Sequence, residues 1–447
     1  MTNRNSIETD LATLVVDFSI ESVDQAILER AALTAADTIG AIIGGLDDPT
    51  VQGLLTEFEQ STGTSNPIGT NIPMAPEHSA FVQGTAGTSL ELDEGHQFAG
   101  GHPAIHVLPA LIAAIQQNSY TSTEIQTAFI IGYEVAARVG QACAPLADGY
   151  HPHGVWGGVG AAAAISKLRQ FDVATTRAAM QIAANNAQHT HFAAATEGAT
   201  VRNTYAGMSN LTGYLAARVA AAGVTGTAAG IERHLSLATA DGFDTTALTR
   251  SIGDPFEIER GYFKQYPACR FTHAAIDAMA AIQASNTASI DSIEDITIET
   301  YDAAAALDST TPSSALAARF SLPFTVAVQC VHGTVEKKAF YFDTVPDSLT
   351  SVMNIMTLAA TDEFEDRAPA ERGCRITVTL TDGQKLIETV SEAKGGHSNP
   401  FTAAELQTKF TNLVSPLLGE GTSARLWEVI AVDFDLHRGL TVMSSKL

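Results

Sequence analysis

Ala and Gly crowd the helical-period segments of this chain, and that pattern narrows the possible folds more than any other feature. Between residues 23 and 43, Ile27, Leu28, Ala31, Ala35, Ile39 and Ile42 recur mainly at three- and four-residue steps, as one buried helical face requires. Gly44-Gly45 and Asp47-Asp48-Pro49 then end the segment. Comparable spacing predicts helices over 78–88, 105–117, 122–140, 155–168, 173–187 and 208–222. Side chains this small let helix axes approach closely, so a compact bundle is expected from about residue 8 to 262.

The pattern changes after residue 263. Apolar and polar side chains alternate around Ile296 and Ile298, which predicts a half-exposed strand over 293–301. Residues 374–390 read as a hairpin turning at Asp382-Gly383, and 324–331 and 348–358 read as helices. After Asn399-Pro400 the helical period returns over 403–418 and 424–432. A chain of 447 residues is long for a single core. The expected layout is mainly α: a discontinuous all-helical domain over 1–262 and 402–447, with a smaller α+β lid domain over 263–401.

The net charge of −24 argues against nucleic acid or an anionic membrane surface as a partner. No run reaches the roughly 18 apolar residues of a membrane span, and the polar N-terminus has no leader-like apolar stretch. A cytoplasmic protein is expected. Only 17% of residues are charged, which fits subunit contacts covering part of the surface. The four cysteines, Cys143, Cys269, Cys330 and Cys374, lack metal-finger or disulfide spacing.

Chemistry concentrates in three polar segments. The first runs from Glu91, Asp93, Glu94, His96 and Gln97 to His102-Pro103; the second is Gly149-Tyr150-His151-Pro152-His153-Gly154; the third spans Lys264, Tyr266, Cys269, Arg270 and His273. A carboxylate beside an imidazole fixes its tautomer and suits proton transfer, although an ordinary helix-capping loop would look similar. Lys264 follows Tyr262 and Phe263. Desolvation there is expected to lower its pKa and make it a base, with a surface lysine lying along aromatic rings as the alternative. Arg202 can grip a carboxylate with two parallel hydrogen bonds. Gly158, Gly160 and Ala163 match a dinucleotide fingerprint, but no strand precedes them and Asp172 comes too early. Close helix packing accounts for these small residues, and no nicotinamide or other cofactor is expected. His151 and His153 could ligate a metal, yet no partner motif is evident, so none is expected.

The order and wording of these segments resemble the MmgE/PrpD family. The resemblance rests on the 149–154 segment followed by Gly157-Gly158-Val159-Gly160-Ala161-Ala162-Ala163, on Ser321-Leu322-Pro323-Phe324, and on Asn399-Pro400-Phe401-Thr402. It runs from about residue 10 to the C-terminus. That family includes 2-methylcitrate dehydratases, cis-aconitate decarboxylases and iminodisuccinate epimerase. The resemblance implies a helical domain with an α+β lid, a homodimer, and a small anionic polycarboxylate as substrate. It also implies site roles for Asp93, His102 and His151, with His153 at a more variable neighbouring place.

Against the decarboxylase pattern, Gln97 stands for Thr, Arg202 for Lys, Cys269 for His and Phe324 for Tyr. The last two changes remove an imidazole and a phenol that could move protons. The groups that remain suffice to exchange a proton beside a carboxylate, and within the family the chain most resembles iminodisuccinate epimerase; the resemblance thus implies a cofactor-independent epimerase inverting an α-carbon of iminodisuccinate. Lys264 would be one base, with His151, Tyr150 or His102 on the opposite face. Asp93 would assist, and Arg202, with Arg270 or His102, would hold carboxylates beside Gln97 and Cys269. The alternative is a lyase, a dehydratase or decarboxylase, acting on a 2-methylcitrate- or cis-aconitate-like tricarboxylate.

Overall fold

The computed structural model describes residues 4–444 except 60, 252, 254, 287 and 288. Residues 1–3 and 445–447, the ends of the expected helical domain, lie outside the described residues. Two clusters of buried apolar side chains organise the chain. The first draws on residues 11–263 and again on 406–443. The second draws on 266–393 together with Ala195. The chain passes from one cluster to the other between Phe263 and Tyr266, so Lys264 stands at the seam.

Helices dominate the first cluster: Gln25–Gly45, Pro76–Ser89, Pro103–Ile115, Ser122–Ala142, Gly157–Leu168, Val173–Asn185, Thr204–Ala221 and Ala403–Leu418. Local chemistry sets their ends. Asp24 accepts from the Ile27 N–H, and Thr121 and Thr402 each form a reciprocal capping box with a glutamate three residues on. Small residues bring the axes together. A Cβ added to Gly160 would lie 2.5 Å from Ala136 Cβ and 2.9 Å from the Gly132 carbonyl oxygen. Gly158 and Gly160 therefore face helices, as the packing account expects.

The second cluster packs beneath a four-stranded sheet. Its strands are β1 (Ile293–Thr300), β2 (Met356–Ala360), β3 (Cys374–Leu380) and β4 (Lys385–Val390), in the order β2-β1-β3-β4. β1 pairs parallel with β2 and antiparallel with β3, and β3 pairs antiparallel with β4. Alternate residues of β3 are buried against the helix His273–Ser285, which packs in turn on Leu322–His332. One expectation fails here. Residues 348–358 do not form one helix: Asp347–Met353 is helical and the chain then enters β2. Met, Leu and Ala carry little strand preference, and pairing with the edge of β1 overrides their local tendency. Among the described residues, no helix is long and apolar enough to cross a membrane.

Gly160→Ala tests the close-packing account. Overpacking between Gly157–Leu168 and Ser122–Ala142 should cost about 1–3 kcal/mol, more than the helix-propensity gain of roughly 1 kcal/mol. The denaturation midpoint should fall. An unchanged or raised midpoint would contradict the packing seen here.

Candidate active site

A two-residue antiparallel ladder creates the site. Gly95 pairs with Tyr262 and His96 with Gly261, so the acidic loop after Pro76–Ser89 lies beside the segment carrying Lys264. Gly95 is required for this approach, because a Cβ there would fall 2.4 Å from the Tyr262 ring. Lys409, from the returning C-terminal helix, donates to the Leu92 carbonyl oxygen at 2.7 Å and pairs with Asp37 at 2.6 Å, which anchors the loop from below.

The result is a buried chain of alternating charges. Arg202 Nη2 contacts one oxygen of Glu91, and Lys264 Nζ lies 2.9 Å from the other. Lys264 is also 3.5 Å from Asp93 Oδ1, and Asp93 Oδ2 is 3.0 Å from His102 Nδ1. Glu91, Asp93, Lys264 and Arg202 are each at most 1% exposed. Buried charges persist only when paired, and each of these four has an opposite partner. Against burial, which alone would raise them, the cations hold both Glu91 and Asp93 below the usual carboxylate range. Glu91 adopts a left-handed φ of 56°, a conformation costing a non-glycine residue about 1–2 kcal/mol.

Lys264 departs from expectation. Burial does push its pKa down, but Glu91 and Asp93 outweigh burial and the ammonium is held above its ordinary value. It is a fixed cation rather than a neutral base. His102 is the group arranged to accept. Its Nδ1 lies 2.6 Å from the Glu94 carbonyl oxygen as well as beside Asp93. Two acceptors assign a proton to Nδ1, so Nε2 is the bare nitrogen of the neutral ring.

His151 has the opposite tautomer. Its Nδ1 accepts from the His153 N–H at 3.1 Å, so the neutral ring carries its proton on Nε2, and burial keeps its pKa well below the ordinary value. The His-Pro-His loop turns through left-handed glycines at both ends, Gly149 (φ 85°) and Gly154 (φ 93°), and Thr190 Oγ1 donates to the carbonyls of His151 and His153. His153, ranked below His151 in the sequence reading, is the histidine nearer the charged chain: its ring centroid is 4.5 Å from that of His102, and neither of its nitrogens has a partner. Among the described residues, Asp93, His102 and His153 bring one ligand atom each to within 4.8 Å of one another, a spacing that could hold a metal ion. The partners judged missing from the sequence are thus present, although Lys264 beside Asp93 opposes a further cation there.

Two expected substrate contacts, Gln97 and Arg270, and one expected base, Tyr150, are engaged elsewhere. The Gln97 amide donates to the carbonyl oxygens of Pro369 and, at 2.7 Å, Ala370, tying the acidic loop to the segment before β3. Arg270 donates to the carbonyls of Lys394 and Ala393, both at 2.8 Å. The half-buried Tyr150 places its hydroxyl 2.8 Å from His189 Nδ1 at the surface. Cys269 is buried and its thiol is pushed up to about 11 by burial, then by Glu91, so it stays neutral. The ring beside the Arg202 guanidinium belongs to Phe320, at 5.2 Å; Phe324 packs instead on Phe340 and Phe342 in the second core. His96 is held 3.0 Å from the buried Glu257, in an ion cluster with Arg250 and Arg260.

Glu94 is a different acid from its neighbours. It accepts from the Tyr133 hydroxyl at 2.6 Å and the Ala104 N–H at 3.0 Å, yet burial raises its carboxyl from 4.5 to about 8. Its neutral form favours the folded state. That contribution is full below about pH 4.5 and is lost as pH rises through 8. The denaturation midpoint should therefore fall from weakly acidic to weakly alkaline pH, and fall less in Glu94→Gln. Identical pH dependence in the two proteins would contradict this assignment.

Two family models match the chain: the MmgE/PrpD N-terminal domain over residues 9–242 and the MmgE/PrpD C-terminal domain over 266–434. A cis-aconitate decarboxylase-like protein, oryM, of Aspergillus oryzae is 25% identical, the match covering 93% of this chain and 92% of that protein. The cis-aconitate decarboxylase of Mus musculus is 25% identical over 97% of this chain and 91% of its own length, and that of Homo sapiens 23% over 95% and 91%. With both family domains matched in order along most of its length, and a site built from the segments that carry the resemblance, this chain belongs to the MmgE/PrpD family.

Proposed function

We propose that this protein is a cofactor-independent lyase acting on a small tricarboxylate of the cis-aconitate or 2-methylcitrate kind. The observation that carries the reading is the pairing of a bare imidazole nitrogen with a held ammonium through one carboxylate: His102 and Lys264 on the two oxygens of Asp93. Elimination of water requires a base to take a proton from the carbon next to a carboxylate and an acid to protonate the leaving hydroxide. His102 Nε2 is the base and Lys264 the acid. Loss of CO2 breaks a C–C bond and leaves its electron pair on carbon, delocalised toward a remaining carboxylate; Lys264 and Arg202 stabilise that charge, and a proton from Lys264 completes the product. The decarboxylase relatives support the same class.

Epimerisation of iminodisuccinate is the second reading. It is favoured by the neutral Cys269 thiol and the Phe320 ring beside Arg202, neither of which provides a strong acid for a leaving group. It ranks lower because the relatives matched along most of this chain are cis-aconitate decarboxylases or similar to them.

The test is to incubate the protein in D2O with cis-aconitate, 2-methylcitrate and iminodisuccinate in turn and to follow each by proton NMR, with His102→Asn as control. Loss of CO2 or water from a tricarboxylate, reduced about 10²–10⁴-fold in the variant, is the expected result. Deuterium entry into iminodisuccinate with inversion and no new product would replace the lyase reading with the epimerase. No change in any of the three would refute both.

A further inference from the structure

Glu91 has no role in the reaction just described, yet it is the best-placed anion in the molecule. Its two oxygens bridge Arg202 and Lys264, the same two cations that reading assigns to the substrate. It is 1% exposed, and its segment is held in the left-handed conformation by contacts at both ends. The Glu91 N–H donates to the Thr88 carbonyl oxygen at 3.3 Å, and Arg319 donates to the Leu90 carbonyl oxygen at 3.3 Å. Arg202 in turn donates to the Thr88 carbonyl oxygen at 3.1 Å, so cation and acid are fixed to the same turn.

Around this bridge, several buried polar groups lack partners. Arg202 Nε has no acceptor, and neither nitrogen of His153 is hydrogen-bonded. Buried donors left open are costly unless something fills them. The site therefore presents unmet donors for oxygen atoms while its strongest cations are already covered by an internal carboxylate.

Resting on the polycarboxylate reading above, we propose that Glu91 occupies, in the free enzyme, the subsite that one substrate carboxylate takes on Arg202 and Lys264, so that binding exchanges one carboxylate for another. An internal competitor has two consequences. It keeps two buried cations neutralised when no substrate is present, which a dry site demands. It also reduces apparent affinity to the intrinsic value multiplied by the fraction of molecules in which the bridge is open. Single small anions, offering one carboxylate and few further contacts, displace Glu91 poorly. A tricarboxylate gains enough elsewhere in the site to do so, and this makes Glu91 a specificity-determining residue.

The probe is propane-1,2,3-tricarboxylate, which has neither a double bond nor a hydroxyl to eliminate. Its affinity is measured by calorimetry for the wild-type protein and for Glu91→Gln, which keeps the shape and removes the charge. The wild-type protein is also crystallised with the probe. Binding roughly tenfold or more tighter in the variant, and Glu91 moved off Lys264 and Arg202 in the wild-type complex, are the expected results. Equal or weaker binding in the variant would overturn the proposal, because a residue that merely positions the two cations would weaken binding when neutralised. Should the variant not fold, the wild-type complex decides: Glu91 still bridging both cations beside the bound probe overturns it. If the wild-type protein does not bind the probe at all, the polycarboxylate reading falls and this inference with it; the other outcomes touch this inference alone.

Discussion

Asp93 is the hinge of the electrostatics. One oxygen faces His102 on the helical side and the other faces Lys264 at the seam, so a single carboxylate orients the imidazole and holds the ammonium. Ionised and fully buried, it fixes the proton of His102 on Nδ1 and helps hold Lys264 as a cation. Removing Lys264 would leave buried carboxylate charge uncompensated, a loss of several kcal/mol. The cluster is therefore tied to the fold itself: the two cores must meet for these charges to pair.

Close helix packing makes that meeting possible. Gly132, Gly160 and Ala136 let two helices nearly touch, while Gly95 lets the acidic loop lie against Tyr262. Polar ties then fix the register between the cores. Gln97 and the 369–372 segment are joined from both sides, with Arg372 donating back to the Gln97 carbonyl oxygen at 2.8 Å. Such a clasp suits a site whose reacting groups are sealed from water, where electrostatic stabilisation is strongest.

Much of this was legible in the amino-acid sequence. Three- and four-residue spacing locates the helices, and alternation around Ile296 and Ile298 locates β1. The 90–103 segment marks a cluster of acids and histidines, from which the family resemblance selects Asp93 and His102, and the aromatic approach to Lys264 marks a buried lysine. What was not legible depends on contacts across long separations. Glu91 looks like one acid among several until Arg202 and Lys264, more than 100 residues away, are seen on its two oxygens. The same contact reverses the direction of the Lys264 shift, since burial alone would have made it a base. Gln97 and Arg270 have the right chemistry for substrate contacts and Tyr150 for a base, but carbonyl oxygens and a surface histidine engage them. His153 and Phe320, each a few positions from the residues first favoured, are set toward the site by turns that spacing does not encode.

The tautomer of His102 is the most direct test of the central claim. Long-range proton–nitrogen correlation spectra of the protein labelled with 15N-histidine, with His102→Asn used to assign the ring, report which nitrogen carries the proton. The account predicts that the neutral ring carries its proton on Nδ1, with Nε2 bare, and that the signal changes in Asp93→Asn. A ring protonated on Nε2, or one indifferent to Asp93, would contradict it.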